Sequence, residues 1–149
     1  MRAVVQRVRE ARVRVDGQIV GEIGSGLLAL IAIARDDGQE DVAYLAAKIR
    51  DLRIFDDADG KMNLALSDAG GLILAVSQFT LYGDVRRGRR PSFDRAAGAD
   101  AGRVLFDALV IELRSTGLPV ATGVFQAHMD VELVNDGPVT VLLDSRRAF

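Results

Sequence analysis

The sequence predicts an α+β domain of layered, mostly antiparallel β-sheets with two main helices. Three observations carry that reading. Short apolar or alternating runs are separated by Asp-Gly and Gly-rich turns, two longer segments place apolar residues at helical spacing, and no repeat, linker or low-complexity stretch interrupts them. At 149 residues the chain fits a single domain, 1–149. A domain of that length buries roughly 68–70% of its unfolded surface.

Ala3 to Val8 and Ala11 to Val15 read as two strands, the second with Ala11, Val13 and Val15 alternating against Arg12 and Arg14. Asp16-Gly17 is a hairpin signal that pairs Gln18 to Ile23 back antiparallel. After Gly24-Ser25-Gly26, the run Leu27 to Ile33 lacks alternation, as a central strand covered on both faces does. Val42, Leu45, Ile49 and Leu52 recur at helical spacing and predict an amphipathic helix. Arg53-Ile54-Phe55 reads as a short strand. The acidic turn that follows, Asp56 to Gly60, is not a calcium loop: aligning Gly60 with the loop glycine puts Phe55 and Leu66 at the first and last ligand positions.

Leu72 to Val76 is a second strand without alternation, and it delivers Ser77-Gln78-Phe79-Thr80-Leu81 at its end, where polar residues often face a cleft. Asp100 to Thr116 predicts the second helix, with Asp100, Arg103, Asp107 and Arg114 on a polar stripe and Val104, Leu105, Ala108, Leu109, Ile111 and Leu113 on a broad packed face. Gly117 and Pro119 end it. Val124 to Val134 then alternates as a strand, with Phe125, Ala127, Met129, Val131 and Leu133 inward and Gln126, His128, Asp130 and Glu132 outward. Core filling is the default role for Met129. A turn at Asn135-Asp136-Gly137-Pro138 leads to the last strand, Val139 to Leu143. A plain turn is the ordinary reading of those four residues, and a ligand meeting the main chain of the Gly-Pro step is the alternative.

Composition removes several chemistries. No apolar run approaches the ~18–20 residues of a membrane span, and the N-terminal residues do not resemble a secretory signal, so a cytoplasmic location and no membrane partner are expected. Cysteine is absent, which excludes disulfides and thiolate nucleophiles. The single histidine, His128, sits on the outward face of its predicted strand, so a Ser-His-acid triad is not expected. No ligand cluster predicts a metal, and no motif predicts a cofactor. Gly83 to Arg89 misses the Lys and Ser/Thr of a phosphate-binding loop, which argues against nucleotide hydrolysis.

Nineteen basic and 21 acidic residues give a formal charge of −2, and with a pI near 5.4 the chain is not one that coats itself in nucleic acid. No DNA partner is expected, and any RNA contact must be local. Arg86, Arg87, Arg89 and Arg90 are the densest basic patch. They form either a solvated loop or a phosphate contact, since guanidinium forks match phosphate oxygens.

Ser77-Gln78-Phe79-Thr80-Leu81 and Asn135-Asp136-Gly137-Pro138-Val139-Thr140, taken together, resemble the paired motifs SQxxL and NxGPxT of the D-aminoacyl-tRNA deacylases. The resemblance runs nearly end to end, through Val5-Gln6-Arg7-Val8, Gly21-Glu22-Ile23-Gly24, Leu52-Arg53-Ile54-Phe55, Gly60-Lys61-Met62-Asn63-Leu64, Gly88-Arg89-Arg90-Pro91-Ser92-Phe93 and Thr122-Gly123. It implies a homodimer with its active site at the subunit interface. The pocket receives the 3′ end of a tRNA carrying a D-amino acid, or glycine mischarged on an alanine tRNA, and the ester to the terminal adenosine is hydrolysed without a cofactor.

By the same resemblance, Gly137 and Pro138 are joined by a cis peptide, enter the partner's pocket and reject L substrates, while Arg7 holds their loop. Ser77 and Asn135 brace the two motifs, and Gln78 orients substrate or water. Backbone amides around Gln78 and Phe79 hold the developing oxyanion, and Leu81 and Met129 border the substrate. Thr80 and Thr140 are candidate nucleophiles, yet neither has an identifiable activating base, so the 2′-hydroxyl of the terminal adenosine is expected to assist water. Several positions depart from the pattern: the arginine-heavy loop varies the usual lysines, Gly83 stands where alanine is common, and Gln126 and His128 stand where relatives carry a small residue and an acid. On an alternating strand both would face outward and affect the surface rather than the pocket. A non-enzymatic RNA-binding module and a hydrolase of small D-amino acid esters or peptides remain open as other readings.

Overall fold

The computed structural model describes residues 1–149. Its architecture is built on one long strand, β1 (Arg2–Val15), which is paired along both edges. On one edge its first half pairs antiparallel with β3 (Gly26–Ala32) and its second half with β2 (Gln18–Ile23), and the other edge carries β8 (Asp130–Asp144). Beyond β3 the sheet continues in parallel through β6 (Leu72–Ser77) to β7 (Val120–Thr122). A separate two-stranded sheet is formed by β4 (Phe55–Asp56) and β5 (Met62–Leu64). The helices are α1 (Gln39–Asp51), a one-turn α2 (Leu66–Ala69) and α3 (Ala99–Ser115).

The α+β expectation holds, and antiparallel pairings predominate, but the centre of the sheet is mixed. Parallel neighbours need a crossover connection. The segments containing α1 and α3 supply it, between β3 and β6 and between β6 and β7.

The two strands without alternation are covered on both faces, as predicted. Leu27, Ala29 and Ile31 of β3 and Ile73 and Ala75 of β6 pack with Val42, Leu45 and Ile49 of α1 and Phe106, Leu109 and Leu113 of α3. Their alternate residues Leu28, Leu74 and Val76 meet Val8, Ala11 and Val13 of β1 and Ile23 of β2 in a second cluster. The sheet therefore curls over itself until β2 lies against β7, a nearly closed barrel.

Three predicted details change. Ala3–Val8 and Ala11–Val15 are one strand, because β8 pairs with β1 on both sides of the exposed Arg9-Glu10 step. The predicted strand Arg53–Phe55 shifts to Phe55–Asp56. On α3, Val104 and Ile111 are exposed instead of packed. Seven residues apart, they share a stripe that points away from the one carrying Phe106, Leu109 and Leu113.

The close approach of β2 to β7 depends on Gly21, where an added Cβ would sit 2.2 Å from the Thr122 carbonyl oxygen. Gly21→Ala should destabilise the fold by about 1–3 kcal/mol, the usual cost of forced overpacking. Urea unfolding followed by circular dichroism measures this, and an unchanged midpoint would contradict the close approach.

Candidate active site

β6, buried on both faces, ends at Ser77, and the chain then leaves the sheet. Gln78 has extended φ −141, and its N–H donates to the Ile31 carbonyl at 2.7 Å, which ties the exit of β6 to β3. A 3-10 turn, Phe79–Tyr82, follows. Its anchor is Tyr82, buried beside Ala32, Ala34 and Ala96 and flanked by the guanidiniums of Arg2 at 4.7 Å and Arg95 at 5.5 Å. Burial first, and then the nearby Asp37 and Asp144 carboxylates, push the Tyr82 phenol well above its usual range and keep it neutral. With Tyr82 held inside, Phe79 stands out into solvent and meets Phe93 edge to face, the ring centroids 5.1 Å apart.

Ser77, Gln78 and Phe79 open into a cavity of about 520 Å³. Its other walls are the start of α3, from Ala97 to Gly102, and the segment Phe125–Met129 with Val131. The lining is mostly apolar with a few polar groups, the usual make-up of a small-molecule pocket. The Gln78 amide, engaged with Ile31, is not a free oxyanion donor. The Phe79 and Thr80 amides open the 3-10 turn and have no acceptor within it, so the donors available at this rim lie one residue later than expected. The Gln78 side-chain amide donates to the Thr80 hydroxyl.

The second motif is built differently from the plain turn that the sequence suggested. β8 runs through it, with Asn135 opposite Val8 and Thr140 opposite Gln6, so Asp136–Val139 bulges out of the ladder opposite Arg7. Arg7 is 8% exposed. Its Nε donates to the Asp136 carbonyl at 2.8 Å and its Nη1 to the Ile54 carbonyl at 2.7 Å, with the Asp56 carboxylate 3.3 Å away. Asn135 closes the bulge from within: its Oδ1 accepts from the Val139 N–H at 2.8 Å and its Nδ2 donates to the Val139 carbonyl at 3.1 Å. Gly137 has φ +152, and a Cβ there would collide with Val139, so only glycine fits. The Gly137–Pro138 peptide is cis, and both residues are exposed at the tip of the bulge.

The predicted residues thus form two groups within one chain. Ser77, Gln78, Phe79 and Met129 line the cavity, with Thr80 and Leu81 beside it; Leu81 packs in the Tyr82 cluster. Arg7, Asn135, Gly137, Pro138 and Thr140 gather at the bulge, and none of them lines the cavity. The Thr140 hydroxyl lies 3.2 Å from Gln6 Nε2. The strand reading of Val124–Val134 is a correction, while Gln126 and His128 are exposed as that reading had them. The alternating segment Val124–Val134 becomes a strand only from Asp130. Before it the chain turns, with the Ala127 N–H donating to the Val124 carbonyl at 3.2 Å and Gln126 at φ +65, and Phe125–Met129 border the cavity, Phe125, Ala127 and Met129 half-buried and Gln126 and His128 exposed. The wall at the start of α3 was also missed, although the small residues Ala96-Ala97-Gly98-Ala99 were a legible sign of close approach.

The arginine loop is a small hairpin closed by mutual backbone hydrogen bonds of Asp84 and Ser92, at 2.8 and 3.0 Å. Arg86 is turned back onto the Asp84 carboxylate, and that side-chain hydrogen bond holds the Asp84 carboxyl well below its usual range. Arg87, Arg89 and Arg90 are exposed and make no ion pair. Phe93, just past the loop, connects it to Phe79 at the cavity rim. No three His, Cys, Asp or Glu side chains gather as a metal site.

The architecture is the D-aminoacyl-tRNA deacylase fold. A solved structure described as "Structural Analysis of a probable eukaryotic D-amino acid tRNA deacylase" superposes with TM-score 0.79 at 20% identity, over 95% of this chain and 97% of that one. Another, described as "c-Myc DNA Unwinding Element Binding Protein", reaches TM-score 0.91 at 38% identity, over 97% and 98% of the two chains. The model of the D-Tyr-tRNA(Tyr) deacylase family matches residues 4–144, and the chain belongs to that family. A protein of Anaeromyxobacter dehalogenans named D-aminoacyl-tRNA deacylase is 60% identical over the whole of both chains, and one of the same name from Thermotoga petrophila is 58% identical over the same span.

Arg7→Ala should lower stability by about 1–3 kcal/mol, because the buried carbonyl of Ile54 and the half-buried one of Asp136 lose their donor. Chemical denaturation measures it. A midpoint equal to that of the unmodified protein would mean that the bulge does not depend on Arg7.

Proposed function

We propose that this chain hydrolyses the ester joining a D-amino acid to the 3′-terminal adenosine of tRNA, a chiral proofreading step in cytoplasmic translation. The observation that carries the proposal is a mostly apolar cavity entered by Ser77-Gln78-Phe79, in a chain 60% identical end to end to a protein named D-aminoacyl-tRNA deacylase. Water attacks the ester carbonyl, the bond to the ribose oxygen breaks, and the free amino acid and the tRNA leave. The oxyanion formed on attack is received by the Phe79 and Thr80 amides. Preorganised donors of this kind are worth ~2.7–4 kcal/mol each. Gln78 orients the substrate or the water.

No side-chain nucleophile is needed. The Thr80 hydroxyl accepts from Gln78, and Thr140 sits at the bulge beside Gln6, away from the cavity. The 2′-hydroxyl of the terminal adenosine assists the water instead.

Chirality is read by main chain. In a homodimer, Gly137 and Pro138 of one copy enter the cavity of the other, accept hydrogen bonds from the substrate ammonium on their carbonyls, and occupy the space that an L side chain requires. Support for this comes from their exposure at a braced tip and from their absence from the cavity of their own chain. Leu133, Val134 and Leu142 of β8 are exposed apolar residues that such a pairing would cover. Arg87, Arg89 and Arg90 contact tRNA phosphates, and Met129 and Leu81 border the substrate.

One assay with D-tyrosyl-tRNA, L-tyrosyl-tRNA, glycyl-tRNA and a small D-tyrosine ester tests this reading. The D and glycyl substrates should be cleaved, the L substrate spared and the small ester barely touched. Binding without turnover would replace the enzyme by a nucleic-acid-binding module, the role that the name of the 38% identical structure states for that protein. Thr80→Ala and Thr140→Ala should each retain activity within about tenfold, against the roughly 10⁴-fold or greater loss that removing a true nucleophile brings. Replacing Arg87, Arg89 and Arg90 by Ala should raise KM and leave kcat nearly unchanged. It should also flatten the plot of log KM against log salt, by about one unit of slope for each phosphate no longer neutralised. An unchanged slope would remove the loop from the RNA interface.

A further inference from the structure

The 3-10 turn Phe79–Tyr82 closes on its own backbone at two places. The Leu81 N–H donates to the Gln78 carbonyl at 3.2 Å, and the Gly83 N–H donates to the Thr80 carbonyl at 2.9 Å. The Leu81 carbonyl lies past that pattern, so its donor has to come from outside the turn. Arg2 supplies it, with Nη1 donating to the Leu81 oxygen at 3.3 Å. Burial among Ala32, Ala34 and Ala96 fixes the ring of Tyr82, whereas this bond from Arg2 fixes the backbone just before it.

Arg2 is itself held from several sides. It opens β1 opposite Asp144 of β8 and Ala32 of β3, and its Nε donates to Asp144 Oδ2 at 2.8 Å. Its guanidinium lies 4.7 Å from the centre of the Tyr82 ring and 5.5 Å from that of Phe149. The Asp144 side chain is 4% exposed, and its other oxygen, Oδ1, accepts from the Arg146 N–H at 2.7 Å. A carboxylate buried to this degree and bonded through both oxygens is a fixed anchor. The planar fork of arginine can then transmit that position, because one rigid group spans two acceptors on different elements, β8 and the turn.

We propose that Arg2, anchored by Asp144, is a positioning residue of the active site: its hydrogen bond to the Leu81 carbonyl sets the 3-10 turn so that the Phe79 and Thr80 amides are held ready for one oxyanion. The inference rests on the deacylase reading for what those amides receive. The holding of the turn itself does not depend on that reading, and it has a readout independent of turnover.

The test compares the unmodified protein with Arg2→Ala, Arg2→Lys and a core control, Leu66→Val, by cleavage of D-tyrosyl-tRNA and by NMR relaxation of the backbone amides. Leu66 is buried beside Gly71, ahead of β6 and at the other end of that strand from Ser77, so shortening it leaves a cavity remote from the turn. Arg2→Ala should lower kcat roughly ten- to hundredfold, the scale of loss for a misplacement of up to about 1 Å, and leave KM nearly unchanged. The order parameters of the Phe79 and Thr80 amides should fall from about 0.85 towards about 0.6. Arg2→Lys keeps the cation beside Asp144 but not the planar fork, so it should fold normally and show both changes in smaller degree. Leu66→Val should lower the unfolding midpoint and move neither readout. Amides that stay rigid in both Arg2 variants overturn the inference, as does a loss of kcat that Leu66→Val reproduces. The two readings also separate: amides loosened in the Arg2 variants of a protein that cleaves no substrate sink only the deacylase, and cleavage with the amides unmoved sinks only the role of Arg2.

Discussion

A single buried guanidinium, that of Arg7, fills the break in the β1–β8 ladder on which the second motif is built. β1 is paired along both edges, and where the β8 ladder breaks, Arg7 fills the gap by donating to a carbonyl on each side of it, Asp136 in the bulge and Ile54 before β4. Buried carbonyls without donors are costly, and a charged donor satisfies them better than a neutral one. The bulge is consequently a fixed feature of the strand. Asn135 reinforces it by giving the Val139 N–H and carbonyl the partners that β1 no longer supplies. What remains free is the outward tip, Gly137 and Pro138, offering main chain where most binding surfaces offer side chains.

The cavity is positioned by burial of another kind. β3 and β6 are enclosed on both faces, so the end of β6 is a stable point from which the chain can leave the sheet with its polar residues exposed. The hydrogen bond from Gln78 to Ile31 and the burial of Tyr82 fix the two ends of that exit. The Phe79 and Thr80 amides, the oxyanion donors of the proposed mechanism, lie between those two fixed points. Catalysis that relies on preorganised donors requires this, because no reorganisation then accompanies the development of charge.

The charge distribution is equally local. A net charge of −2 coexists with three unpaired arginines on one exposed loop, because Asp84 engages Arg86 and Phe93 ties the loop to the cavity rim. The densest cluster of positive charge thus stands beside the cavity rim.

Much of this was legible in the amino-acid sequence. Double-sided burial of Leu27–Ile33 and Leu72–Val76 showed as missing alternation, and the paired motifs at Ser77–Leu81 and Asn135–Thr140 marked the site, since both depend on residue type at close spacing. Tertiary structure alone decided that Arg7 is buried, because strand alternation assigns a side but does not reveal which carbonyls wait there. It alone turned Val104 and Ile111 to solvent, and it alone bent Phe125–Met129 into the cavity wall. That last segment carries an alternating pattern with no Gly, Pro or Asn to break it, so nothing local predicts a turn. The turn is set by what flanks Gln126: Phe125 packs beside Phe106 of α3 and Met129 against the second cluster, and packing is a property of the whole chain.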